Sequence, residues 1–195
     1  MDFQVVLGLL VMLAVVGFTM MLQVSRYKAW FMFAKAHDLQ CARDELLVEG
    51  QRRGHAVKLF TESRLLDARR RTTITVLELQ LGNEAPQELE LLPPHRAWSL
   101  NAELRVIGPP YPLEPLLPQQ EPHVREVLDL PDVKAPLTAV LQACSVLVVH
   151  QGVLRVEWAY VHSKPEAMRA AISPAFELAR ALEEAAWEQR MLRRG

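Results

Sequence analysis

The sequence predicts an α+β fold: an N-terminal transmembrane helix, then a mostly antiparallel sheet packed with two or three helices. Three observations carry this reading. The chain opens on a long uncharged apolar run. Its middle holds short alternating segments split by Gly and Pro, and its end is rich in Ala, Glu and Arg. A length of 195 residues suits one domain with an appendage. The expected organisation is an anchor at 1–25, a juxtamembrane helix at 26–44 and a domain at 45–195.

The anchor is the clearest element. Val5 to Leu22 holds 18 residues without a charge, and 11 of them are Val, Leu or Phe. At about −0.3 to −0.6 kcal/mol each, these favour insertion by roughly 3 to 7 kcal/mol. With its flanks the run reaches 22 residues, and at about 1.5 Å per residue it crosses a hydrocarbon core of about 30 Å. A cleaved signal peptide needs a basic start and small residues at the cut. Met1-Asp2-Phe3-Gln4 has no base, and Met20 to Arg26 has no A-x-A. An uncleaved anchor is therefore expected. Its flanks set the direction. No Lys or Arg precedes it, whereas Arg26, Lys28, Lys35 and Arg43 follow, so the C-terminal part is expected in the cytoplasm and the N-terminus outside.

Arg26, Tyr27, Lys28 and Trp30 are the expected membrane-interface residues, since basic and amphipathic aromatic side chains suit the headgroup level. The competing reading makes Trp30, Phe33 and Ala34 core residues of the domain's first helix. On the first reading Arg26 to about Gln40 continues the membrane helix out of the bilayer and into the domain. Gly8 and Gly17 are not at GxxxG spacing, so helix pairing has no specific support.

The domain's elements follow in order. Leu46–Glu49 and His55–Thr61 flank a glycine-bearing turn at 50–54, which reads as a hairpin. Arg71–Leu81 alternates, with Thr75, Leu77, Leu79 and Leu81 on one face and Ile74, Val76, Glu78 and Gln80 on the other, as in a half-buried strand. Glu88–Leu92 and Ala102–Ile107 are further strand candidates. Asp132–Ala143 carries the apolar stripe Val133, Leu137, Val140, Leu141. Ser145–Val149 and Val153–Val161 form a second hairpin around His150-Gln151-Gly152. From about Pro165 to Arg193 a helix buries Ile172, Phe176, Ala179, Leu182 and Ala186. Pro174 either starts a new helix there or kinks a single one.

Leu104-Arg105-Val106-Ile107-Gly108, Pro131-Asp132-Val133-Lys134-Ala135-Pro136-Leu137 and Gly152-Val153-Leu154-Arg155-Val156 extend this pattern between the anchor and the alanine-rich terminal helix. So built, the chain resembles a loose group of uncharacterised bacterial membrane-anchored proteins. That group has no established activity. The resemblance implies architecture and a bacterial inner-membrane location, and it supplies no catalytic residues.

Composition and motifs narrow the chemistry. Half the residues are hydrophobic and 23% are charged, which excludes a disordered chain. A net charge of −1 speaks against a general polyanion binder, and no nucleic-acid partner is expected. Two cysteines, Cys41 and Cys144, cannot make a disulfide framework or a four-cysteine zinc site. No HExxH, GxSxG, P-loop or GxGxxG motif occurs, and the six histidines do not pair at ligand spacing. No metal site, cofactor or catalytic residue is assigned. His150 and His162 end neighbouring strands, where they either meet Cys144 or Glu157 in a Cys–His type of arrangement or are plain exposed histidines.

Pro109, Pro112, Pro115 and Pro118 recur every third residue within 108–122, so in polyproline II they align on one edge. This ridge either docks in a partner's aromatic groove or stiffens a connector packed on its own domain. Arg52-Arg53, Arg69-Arg70-Arg71 and Arg190, Arg193, Arg194 are short basic clusters that meet either anionic lipid heads or plain water. Two functions remain. The first is a non-enzymatic scaffold, bound to the bilayer and to a protein partner. The second is a membrane-tethered enzyme or ligand-binding domain with a site assembled from scattered residues. Neither the partner nor the oligomeric state is legible from sequence.

Overall fold

The computed structural model describes residues 3–42, 45–65, 71–83, 85–92 and 122–194. In chain order the elements are α1 (Phe3–Ala36), β1 (Gln40–Cys41), β2 (Leu47–Arg52), β3 (His55–Leu65), β4 (Arg71–Gln80), β5 (Glu88–Leu92), α2 (Pro122–Asp129), α3 (Pro131–Ala143), β6 (Val146–His150), β7 (Val153–Trp158) and α4 (Pro165–Arg194). The candidate strand at 102–107 and the ridge of Pro109, Pro112, Pro115 and Pro118 lie outside the described residues.

The strands form one sheet in the order β1-β2-β3-β4-β7-β6-β5, with every pair antiparallel. The α+β class is as the alternation and the terminal helix imply. Two tight turns set the registers. Arg53 and Gly54 join β2 to β3, and Gln151 and Gly152 join β6 to β7; all four have positive φ. This primed geometry matches the natural twist of paired strands. The first turn is thus shorter than the expected 50–54, and Gly50 belongs to β2.

One face of the sheet holds the helices. Val57, Leu59, Leu77, Leu79, Leu147, Leu154, Val156 and Trp158 meet Val133, Leu137, Val140 and Leu141 of α3 and Ile172, Phe176, Ala179 and Leu182 of α4 in a single core. α3 buries the four residues its stripe predicts. Pro174 lies inside one continuous α4. It lacks the N–H that would reach the Ala170 carbonyl, and Ala170 is on the exposed side, where water can satisfy that carbonyl. Of the five expected α4 core positions, Ala186 is only half-buried.

The other face departs from the half-buried reading of β4. Ile74 and Val76 are fully buried, as is Val146 of β6. They surround a charged cluster. Arg155 donates from Nε to Glu157 (2.8 Å), from Nη1 to Glu78 (2.6 Å) and from Nη2 to Glu62 (2.6 Å). Burial opposes the Arg155 charge, but the three carboxylates outweigh it and hold its pKa above the ordinary value.

Because β4 is central and Leu77 has no exposed surface, Leu77→Ala is expected to cost about 2–5 kcal/mol. Gln80→Ala at the exposed end of the same strand is expected to cost less than about 1 kcal/mol. Urea unfolding of the full chain in detergent measures both.

Candidate functional site at the membrane junction

α1 has 34 residues. At about 1.5 Å each it is roughly 51 Å long, some 20 Å more than a hydrocarbon core of about 30 Å requires. The excess is about 14 residues, which starts near Gln23. Burial changes at nearly the same place. From Gln4 to Val24 every residue is exposed, so this stretch is no core helix of the domain. Then Ala29, Trp30, Phe33 and Ala34 are buried in the domain core. Their spacing is that of one helix stripe. A single helix thus serves two apolar environments, and the chain is membrane-anchored through it.

The helix stops before the expected Gln40. The Leu39 N–H donates to the Ala34 carbonyl (2.9 Å), and Asp38 takes the left-handed conformation with φ 54. That is the 6→1 bond of a Schellman cap, with Asp in the place Gly usually holds. β1 follows at once and pairs with β2, so the juxtamembrane segment is helix only to Ala36.

Side chains from α1 and β4 pin the segment that leads from β7 into α4. Thr75 Oγ1 donates to the Tyr160 carbonyl (2.7 Å) and Trp30 Nε1 donates to the His162 carbonyl (3.1 Å). Ser25 Oγ lies 3.4 Å from the Ser163 carbonyl, a longer contact. The Trp30 bond joins residues 132 apart. It also places Trp30 in the core, fully buried. Of the other expected interface residues, Arg26 and Tyr27 are half-buried and Lys28 is exposed. Tyr27 stacks on Phe31, with ring centroids 6.3 Å apart.

His162 itself is 3% exposed. Its ring meets Tyr160 edge-on at 4.8 Å and Trp158 at 5.8 Å. Neither ring nitrogen has a hydrogen-bond partner. Burial in this aromatic setting disfavours the imidazolium and pushes its pKa down to about 4.

The remaining sequence candidates are dispersed. His150 Nδ1 lies 3.0 Å from Glu88, whose other oxygen accepts from the Gln151 N–H (3.1 Å), so Glu88 ties β5 to the β6–β7 turn. The His55 Nδ1–H donates to the Gln80 carbonyl (3.1 Å). Cys144 is buried just after α3, and burial pushes its thiol pKa far up, away from thiolate chemistry. Thus the histidines that might have joined Cys144 are engaged elsewhere, His150 with Glu88 and His162 with aromatic rings. Arg190 is exposed, and the side chains of Arg193 and Arg194 lie outside the described ones. Among the described residues no three His, Cys, Asp or Glu side chains converge as metal ligands do. Sequence reasoning missed the carbonyls of Tyr160 and His162, because a backbone acceptor leaves no residue-type signal.

Two outcomes follow. Trp30→Phe keeps a buried ring but removes the donor to the His162 carbonyl, and is expected to cost about 1–3 kcal/mol. Trp30→Ala, which also empties the core position, is expected to cost about 3–5 kcal/mol. The second outcome concerns pH. The folded pKa of His162, about 4, is below the unfolded value of about 6.5. Between these values the unfolded state binds more protons, so stability is full above pH 6.5 and falls as pH drops toward 4. At about 1.36 kcal/mol per pH unit the loss approaches 3 kcal/mol. Urea titrations at pH 7 and pH 4.5 are expected to show it, and His162→Phe to reduce it. The chain matches no family model, no curated protein and no solved structure.

Proposed function

We propose that the protein is a single-pass membrane scaffold whose cytoplasmic domain holds a protein partner at a set height and orientation above the bilayer. The observation that carries this reading is the continuity of α1. An enzyme tethered only for location needs a flexible linker and nothing more. Here the span enters the domain core through Ala29, Trp30, Phe33 and Ala34, with no break in the helix. Such a joint conserves orientation, which matters when one face must be presented.

The C-terminal end of α4 offers such a face. Trp187 is 56% exposed, Met191 follows one turn later and Leu192 is 82% exposed. Large apolar side chains clustered in water are a usual mark of a protein-binding surface. A partner with a complementary apolar groove would meet this end. The cytoplasmic placement rests on Arg26, Lys28, Lys35 and Arg43, all on the C-terminal side of the span. The bacterial inner membrane is the location we infer.

Photo-cross-linking from position 187 in intact membranes tests the proposal. A discrete adduct with a second protein, lost in Met191→Glu, is expected. Recovery of the lone chain after cross-linking would contradict it. Topology is tested with Cys41→Ser and a new cysteine at the C-terminus. Silence toward an impermeant maleimide on intact cells, and reaction after lysis, is the expected pattern; labelling of intact cells would reverse the orientation.

A further inference from the structure

The sheet has a membrane end, and the contacts of α1 and α4 fix which end it is. α1 leaves the bilayer near Gln23, passes Trp30, which holds the His162 carbonyl, and leads to Leu39, which packs on Gly50. In the sheet Gly50 pairs with Val57, Val57 with Leu79 and Leu79 with Leu154. His162 lies beyond Trp158, which pairs with Thr75. From Trp30 to Leu39 the chain therefore runs along the strands, from the Thr75–Trp158 end to the Leu79–Leu154 row. α4 agrees with this direction. Ser25 meets the Ser163 carbonyl just before α4 begins, whereas Arg53 and Gly82, at the opposite end of the sheet, meet Glu177 and Glu183 farther along it. The Thr75–Trp158 end thus faces the bilayer.

β3 and β4 continue past that end. β7 stops at Trp158, opposite Thr75, but β3 and β4 stay paired as far as Leu65 and Arg71. The four residues from Thr75 back to Arg71, at about 3.4 Å each, carry the hairpin roughly 14 Å toward the membrane. The seven residues from Trp30 back to Gln23 cover roughly 10 Å of helix, so the hairpin end comes level with the headgroup layer. The helices do not cover it. On the helix side of β4, Thr75 is fully buried, whereas Thr73 and Arg71 are exposed. The charge of this end is one-sided. Residues 63–73 hold four arginines, Arg64, Arg69, Arg70 and Arg71, against one acid, Asp67. Arg69, Arg70 and Asp67 lie outside the described residues, so the placement argued here is that of Arg64 and Arg71. The acids of the two strands, Glu62 and Glu78, are held by Arg155.

We propose that the end of the β3–β4 hairpin, at Arg64 and Arg71, docks on anionic lipid headgroups as a second membrane contact. The guanidinium fork matches phosphate oxygens. The negative surface of a cytoplasmic leaflet favours each nearby base about fivefold. A single span leaves the domain free to lean in any direction about the point where α1 emerges. A second contact, off the axis of α1, selects one lean. The proposal rests on the anchored α1 and does not depend on the scaffold reading, which concerns the far end of α4.

The test uses the full chain in nanodiscs, with Cys41→Ser and a fluorophore on Thr73→Cys, read by quenching from lipids that carry a nitroxide on the headgroup. Discs of phosphatidylcholine alone are compared with discs containing about a quarter phosphatidylglycerol. Strong quenching is expected with phosphatidylglycerol, and weaker quenching without it or in high salt. The double variant Arg64→Glu, Arg71→Glu is expected to lower the docked population about tenfold or more and to bring quenching to the level of phosphatidylcholine alone. A fluorophore on Glu184→Cys, toward the far end of α4, is expected to stay unquenched in both. Quenching at Thr73 no greater than at Glu184 would overturn the placement. Quenching at Thr73 indifferent to phosphatidylglycerol, salt and charge reversal would overturn the recognition of anionic lipid. The lipid and salt comparisons use unaltered arginines, so they decide the matter even if the double variant fails to fold.

Discussion

The packing of Ala29, Trp30, Phe33 and Ala34 on the domain core is the contact on which the rest of the molecule depends. A membrane helix has no reason to stop at the hydrocarbon edge if the next turns can bury an apolar stripe in protein. In this chain they do. The helix crosses from lipid to core without a loop, and its backbone bonds stay satisfied throughout. Its direction is therefore the direction of the domain's first core element. The His162 carbonyl, accepting from Trp30, extends that alignment to the start of α4.

From this joint the domain is assembled outward. Thr75 and Trp30 hold alternate carbonyls of the segment between β7 and α4, so sheet and helices meet at a defined point. Farther along α4, Glu177 meets Arg53 of the β2–β3 turn, and Glu183 accepts from the Gly82 N–H beyond β4. α4 is thereby tied to α1 at one end and to sheet loops along its length. Only its last turns leave the fold. Polar groups meet rings at two points along this segment, with His162 among Trp158 and Tyr160 before α4 and Arg52 over Phe176 about three turns into it.

What was legible in the sequence was local. The anchor, the α3 stripe at Val133, Leu137, Val140 and Leu141, and the second hairpin follow from period and turn chemistry. The anchor needs only an uncharged run; the stripe needs only spacing. Failures came where distant residues decide. β4 looked half-buried because Glu78 and Gln80 alternate with leucines, yet Ile74 and Val76 are covered as well. Cover on a second face is a property of the whole fold. The sequence carries the helix to about Gln40, four residues past the end of α1, since Asp38 gives a weaker stop signal than Gly. Residues 50–54 suggest a wider turn than the one that forms, because Arg53 is not a customary residue at positive φ. Arg52 looked like half of a solvated pair, and only the approach of Phe176 shows its guanidinium half-buried.

The central claim is that the domain is rigidly oriented by the helix that enters it. Pulsed electron spin resonance between spin labels at Met12, in the span, and Glu184, on the exposed side of α4, tests this most directly, with the chain in nanodiscs and Cys41 replaced by Ser. The account predicts one narrow distance population that broadens when a flexible glycine-serine segment is inserted after Ser25. A broad distribution in the unmodified chain, indifferent to that insertion, would contradict it.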